Sequence, residues 1–144
     1  MLTVTEAKKL FESGFKRPGF DDDVYPRDMF EYKNETWIVG GRVLPRGEFS
    51  SPREVYTKGI WVPLEDDLIS WMEENDCTFS CSFDGMTYKI KAADINNKSY
   101  KAKGSSLGLC LYKVIIQILH AFDGEMPEKK YEVIEVELIE KEDL

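Results

Sequence analysis

The groups in this chain best suited to nucleophilic or metal chemistry are three thiols and one imidazole: Cys77, Cys81, Cys110 and His120. A nucleophilic pair needs its base within hydrogen-bond reach. Cys110 and His120 fall on what reads as one helix, ten residues apart. At 1.5 Å of rise per residue that is about 15 Å, which is out of reach. Cys77 and Cys81 fall four apart on a predicted strand. At about 3.3 Å per residue they are roughly 13 Å apart, too far for a disulfide. Their expected role is that of small hydrophobes pointing into the core. One histidine and no CxxC spacing leave no ligand set for a structural zinc. No catalytic residue, metal ligand or cofactor is expected.

Carboxylates are too numerous to single out a general acid–base pair of the kind glycosidases use. Asp21-Asp22-Asp23 lacks the spaced ligands, glycine and terminal glutamate of a calcium loop, so a solvated loop is expected. Gly104-Ser105-Ser106 opens a helix, a place that attracts anions. It lacks the GxxxxGK[ST] pattern, and neither it nor Gly40-Gly41 reads as a phosphate loop. The candidate for binding is the irregular stretch 42–58. It carries Arg42, Arg46, Arg53 and Lys58 against Glu48 and Glu54, with Phe49 and Tyr56 nearby. Exposed arginine and aromatic side chains make contact surfaces. Arg42, Arg46, Phe49, Arg53 and Tyr56 are therefore the expected partner-binding residues.

Nineteen basic against 27 acidic residues give a net charge of −8 over 144 residues. Duplex DNA is a poor partner for such a chain, because binding rests on neutralising phosphates. The charge is uneven: residues 61–80 hold six acids and no base, while 81–124 hold six lysines against three aspartates. Residues 125–144 hold eight acids and three bases. Solvated faces explain this pattern; an acidic surface that mimics nucleic acid toward a basic partner is the alternative. No apolar run approaches about 18 residues, so no membrane-spanning helix and no membrane partner are expected. The first residues show no basic stretch followed by an apolar one, so no secretory signal is expected. An odd cysteine count without a paired framework fits a reducing cytoplasm.

The elements that position these residues follow from periodicity and caps. Thr3 to Ser13 reads as a helix with a Thr3/Glu6 capping box, an apolar stripe of Val4, Ala7, Leu10 and Phe11, and Gly14 as its C-terminal stop. A loop runs from Phe15 to Asp28. Met29 to Val39 reads as a hairpin turning at Lys33-Asn34-Glu35. Within 42–59, short extended pieces are expected at Arg42-Val43-Leu44 and Val55-Tyr56. Pro63 to Glu74 is a helix with proline in its first turn, acids at its positive end, and Leu64, Leu68, Ile69, Trp71 and Met72 inward.

Phe79, Cys81 and Phe83 then alternate with polar residues, as do Met86, Tyr88 and Ile90 after a turn at Asp84-Gly85. That turn pairs Phe83 with Met86 and places every apolar residue on one face. A three-residue loop at Asn96-Asn97-Lys98 leads to a third strand, Ser99 to Lys103, and keeps Tyr100 and Ala102 on that face. Ser105 caps a helix from Ser106 to Phe122. It is apolar almost all round, with a wet edge at Lys113, Gln117 and His120, so it is buried on more than one side. Gly124 and Pro127 stop it. Tyr131 to Ile139 alternates as a last strand, and 140–144 is a fraying acidic tail.

The run Ile60-Trp61-Val62-Pro63-Leu64-Glu65-Asp66-Asp67-Leu68-Ile69-Ser70-Trp71-Met72 resembles small proteins of Gram-positive bacteria and their phages. In these, a WLPTE-like helix start is followed by a short meander and an apolar helix. The resemblance spans Ile60 to Phe122 and departs at Leu64, where the pattern has threonine. It implies a prophage-type origin and carries no site residues.

The expected fold is α+β in one domain. Residues 1–59 form a helix, hairpin and irregular loop, and 60–139 form a helix–meander–helix–strand core. An antiparallel sheet from the meander and the last strand carries the long helix, with the 63–74 helix beside it. The expected function is that of a small cytoplasmic accessory protein acting through a protein partner, without catalysis. The alternatives are an acidic inhibitor of a nucleic-acid-binding protein, or a small enzyme using carboxylate or cysteine chemistry. Neither partner identity nor oligomeric state follows from the residues.

Overall fold

The computed structural model describes residues 2–17, 27–38, 54–55 and 58–127. The first helix, α1 (Val4–Glu12), starts at the expected box. Thr3 Oγ1 accepts the Glu6 N–H at 3.1 Å, and Glu6 Oε1 accepts the Thr3 N–H at 2.9 Å. Each bond satisfies a donor that the first helical turn leaves open. Ala7 and Leu10 are fully buried. Gly14 ends the helix at φ +107°. A Cβ there would collide with the backbone of Gly124, itself at φ +82°, so two helix ends meet through glycines.

β1 (Met29–Tyr32) and β2 (Glu35–Ile38) form the expected hairpin. Its loop is the two residues Lys33 and Asn34, at φ 51° and 61°, the pair of positive values a type I′ turn requires. β3 (Ile60–Val62) pairs with the other side of β1, Met29 opposite Val62. The hairpin therefore belongs to a separate sheet, ordered β2-β1-β3. Three residues are too few for alternation to announce a strand.

Val55, expected to be extended, is helical together with Glu54 and Lys58. The Gly59 N–H reaches back to the Val55 carbonyl at 2.8 Å. Arg42-Val43-Leu44, Tyr56, the Asp21-Asp22-Asp23 run and the expected strand 131–139 lie outside the described residues.

α2 (Glu65–Glu74) begins one residue after Leu64, whose side chain accepts nothing. The Asp67 carboxylate takes the Leu64 N–H at 2.8 Å instead. Pro63 is buried just before this cap rather than inside the first turn. Leu68, Trp71 and Met72 face inward.

The second sheet is the meander β4 (Thr78–Phe83), β5 (Tyr88–Ala93) and β6 (Ser99–Gly104), in that order. Its first turn centres on Gly85-Met86, one residue later than expected. Only Gly85 has positive φ, +98°, which fits a type II′ turn rather than I′. Asp84 fixes it: its carboxylate accepts the Met86 N–H at 2.9 Å and the Thr87 N–H at 2.8 Å. The register moves by two, so Phe83 faces Tyr88 and Cys81 faces Ile90. A shift of two keeps every side chain on its face.

The second loop is three residues long, as expected, but spans Ile95 to Asn97. Asp94 and Lys98 close it at 3.0 Å, and Asn97 sits at φ 63°. Tyr100 pairs with Ala92 on the apolar face.

α3 (Leu107–Ala121) is capped by Ser106, one residue past the expected Ser105, with its Oγ accepting the Leu109 N–H at 3.1 Å. Cys110, Leu111, Tyr112, Val114, Ile115, Ile118 and Leu119 are all buried. The helix packs chiefly over β5 and β6, with α1 and α2 on its other sides. The core lies between these elements, and the fold is α+β.

Candidate functional site

Of the expected partner-binding residues, Arg42, Arg46, Phe49, Arg53 and Tyr56 all lie outside the described residues. The thiols separate into two kinds. Cys77 is buried, and burial, together with the Asp94 and Asp76 carboxylates, pushes its thiol up to about 11. Burial also raises Cys110, whose Sγ lies 3.4 Å from the Tyr88 carbonyl. Thiolate nucleophiles need the opposite shift. Cys81 was expected in the core and is instead exposed. It lies on the expected face, but α3 packs chiefly over β5 and β6, and on β4 only Phe79 reaches the core while Cys81 and Phe83 stay exposed.

His120 is exposed on α3, its Nε2 3.4 Å from Ser13 Oγ at the end of α1. The buried acid Asp94 accepts the Tyr100 hydroxyl at 2.7 Å and the N–H groups of Asn96 and Lys98 at 2.8 and 3.1 Å. Burial pushes its carboxyl up, yet these bonds outweigh that and hold it below the usual range. The Tyr100 hydroxyl is pushed up to about 12 by burial and by its bond to Asp94. These four residues pin the β5–β6 loop. Among the described residues no three of His, Cys, Asp and Glu gather as metal ligands would.

What does gather is the free side of β4. The Asp84 N–H donates to the Thr87 carbonyl at 3.3 Å. In an antiparallel ladder, bonded pairs alternate. The bonded pairs are then Ser82–Lys89, Ser80–Lys91 and Thr78–Ala93 in the observed register. The N–H and C=O groups of Phe79, Cys81 and Phe83 accordingly point away from β5. No strand pairs with this edge among the described residues.

On one face stand Phe83, 54% exposed, and Cys81, with Met86 at the hairpin tip 88% exposed. The Phe83 and Tyr88 rings lie 4.5 Å apart. On the other face, Lys89 sits opposite Lys103 and Lys91 opposite Lys101, all four exposed. Like charges directly opposite destabilise a sheet, so this square has a cost that an anionic neighbour would relieve. Four of the six lysines in 81–124 make up this square. Its signal was legible in Lys89-Ile90-Lys91 and Lys101-Ala102-Lys103, where lysine occupies every outward position.

Fold and surface together define an α+β protein whose second sheet has one edge, β4, that no described strand pairs with. Comparison of the chain with protein-family models, curated proteins and solved structures finds no match. No described helix is long and apolar enough to cross a membrane.

Proposed function

We propose that this chain is a small protein-binding accessory module, of prophage type and cytoplasmic, that engages its partner through β4 rather than through catalysis. The observation that carries this reading is the edge of β4, unpaired among the described residues, with Phe83, Cys81 and Met86 exposed beside it. Large apolar side chains clustered at a surface mark interaction sites, and an open strand edge is a template for a further strand. Three free thiols, one of them exposed, support a reducing compartment. The raised thiols of Cys77 and Cys110 give cysteine catalysis no support.

The test is affinity capture from the source cell with the full chain and with its Phe83→Lys and Cys81→Lys variants. Both substitutions place charge on the exposed apolar strip. The expected result is a partner held by the unmodified chain and lost from both variants, whose melting temperatures stay within a few degrees of the parent. An identical set of captured proteins for all three chains would contradict the reading.

A further inference from the structure

The chemistry of the partner can be read from the two faces that flank the β4 edge. The outward N–H and C=O groups of Phe79, Cys81 and Phe83 match the backbone of an extended chain, which bonds at every second residue. Successive side chains of an added strand alternate between faces. One set would lie against Phe79, Cys81 and Phe83. The other set would lie on the lysine side, where Ser80 and Ser82 are the only β4 side chains between the edge and Lys89 and Lys91. Serines leave the ammonium groups open from that side. Side chains two apart on the added strand are spaced roughly 6.6 Å, the same as Lys89 and Lys91.

We propose that β4 takes up an extended segment of a partner protein in which apolar and acidic residues alternate, the apolar ones covering Cys81 and Phe83 and the acidic ones facing Lys89 and Lys91. This rests on the protein-binding reading above and adds the partner's chemistry to it. A polypeptide fits better than a nucleic acid for two reasons. The edge offers amides in ladder register. The lysine face holds Thr78, Ser80, Ser82, Lys89, Lys91, Ala93, Ser99, Lys101 and Lys103, with no aromatic ring on which a base would stack.

The experiment is fluorescence anisotropy on the full chain with a labelled seven-residue peptide, Ile-Glu-Val-Glu-Ile-Glu-Val, against the same peptide with lysine for glutamate. The expected result is saturable binding of the acidic peptide alone. Binding should weaken about tenfold in Lys89→Glu/Lys91→Glu and again in high salt, as for steered charge pairs. It should be lost in Cys81→Pro, which removes one outward N–H, a change that an edge strand tolerates. Cys81→Lys serves as the second edge variant if the proline chain melts early.

Equal binding of both peptides would overturn the acidic assignment while leaving the protein-binding reading intact. Binding of neither peptide, while the capture above still depends on Phe83 and Cys81, would overturn it too. So would lysine-dependent binding of a labelled oligothymidylate in place of the peptide, or a dimer in sedimentation that Cys81→Lys dissolves. Peptide binding seen only after Glu135→Lys/Glu137→Lys would assign the edge to the chain's own C-terminal segment and would equally overturn the proposal.

Discussion

The two edges of the second sheet are treated differently by the same fold. Along β6, α3 lays its polar side chains over the outward carbonyls. Lys113 Nζ donates to the Lys103 carbonyl at 2.6 Å and Gln117 Nε2 to the Lys101 carbonyl at 3.1 Å. Those are two of the three residues that looked, in sequence, like a mere wet stripe on an apolar helix. Among the described residues no helix lies along the β4 edge, and the strand carries no proline and no lysine. Its pairing with β5 runs from Thr78 to Phe83 without interruption. Proteins usually guard an exposed edge with charge, proline, a bulge or a covering element. Among the described residues one edge is guarded and the other is not, and the proposed binding function rests on that difference.

The largest expected contrast lies between the covered and bare ends of the one apolar face. Ile115→Ala, on the buried side of α3 where the helix covers that face, should cost about 2–5 kcal/mol in denaturant unfolding, the range for a buried cavity. Next, Tyr100→Phe should cost about 1–3 kcal/mol by leaving buried Asp94 one donor short, and it should reshape the pH profile. Asp94 is held below its ordinary value, so its contribution is present above about pH 4 and is lost as pH falls through the lowered value. Tyr100 is raised to about 12, so its contribution holds below about pH 10 and fades as pH climbs between the two values. Melts across pH should show both losses in the parent and shallower ones in the variant.

Gln117→Ala should cost only about 0.5–1.5 kcal/mol but uncover the β6 edge, and light scattering should then show new self-association. Smallest of all, Phe83→Ser should stay within about 0.5 kcal/mol of the parent while lowering the binding of a hydrophobic dye. A loss at Phe83 as large as that at Ile115 would erase the contrast between the two ends.

Local signals carried most of the fold. The Thr3/Glu6 box, the hairpin from Met29 and the face shared by Ile90, Ala92, Tyr100 and Ala102 were all legible, because caps and alternation are properties of neighbouring residues. The turn centres one residue past Asp84-Gly85 because the Asp84 carboxylate holds it from outside instead of occupying its centre. Cys81 was misassigned for a different reason. Alternation says which face a residue is on but not whether anything covers that face, which depends on where α3 lies. The expectation at Arg42, Arg46, Phe49, Arg53 and Tyr56 rests on composition alone, and these residues lie outside the described ones. The lysine square on β5 and β6 is written in the alternation of each strand but emerges only when the two strands are set side by side.

The most direct test of the open edge is amide hydrogen exchange of the full chain, resolved residue by residue. Protected and unprotected amides should alternate along β4. Ser80 and Ser82, bonded to β5, should exchange slowly, and Phe79, Cys81 and Phe83 fast, since exchange reports which amides are paired. Uniform protection from Phe79 through Phe83 would mean that the edge is already occupied, and would contradict the account.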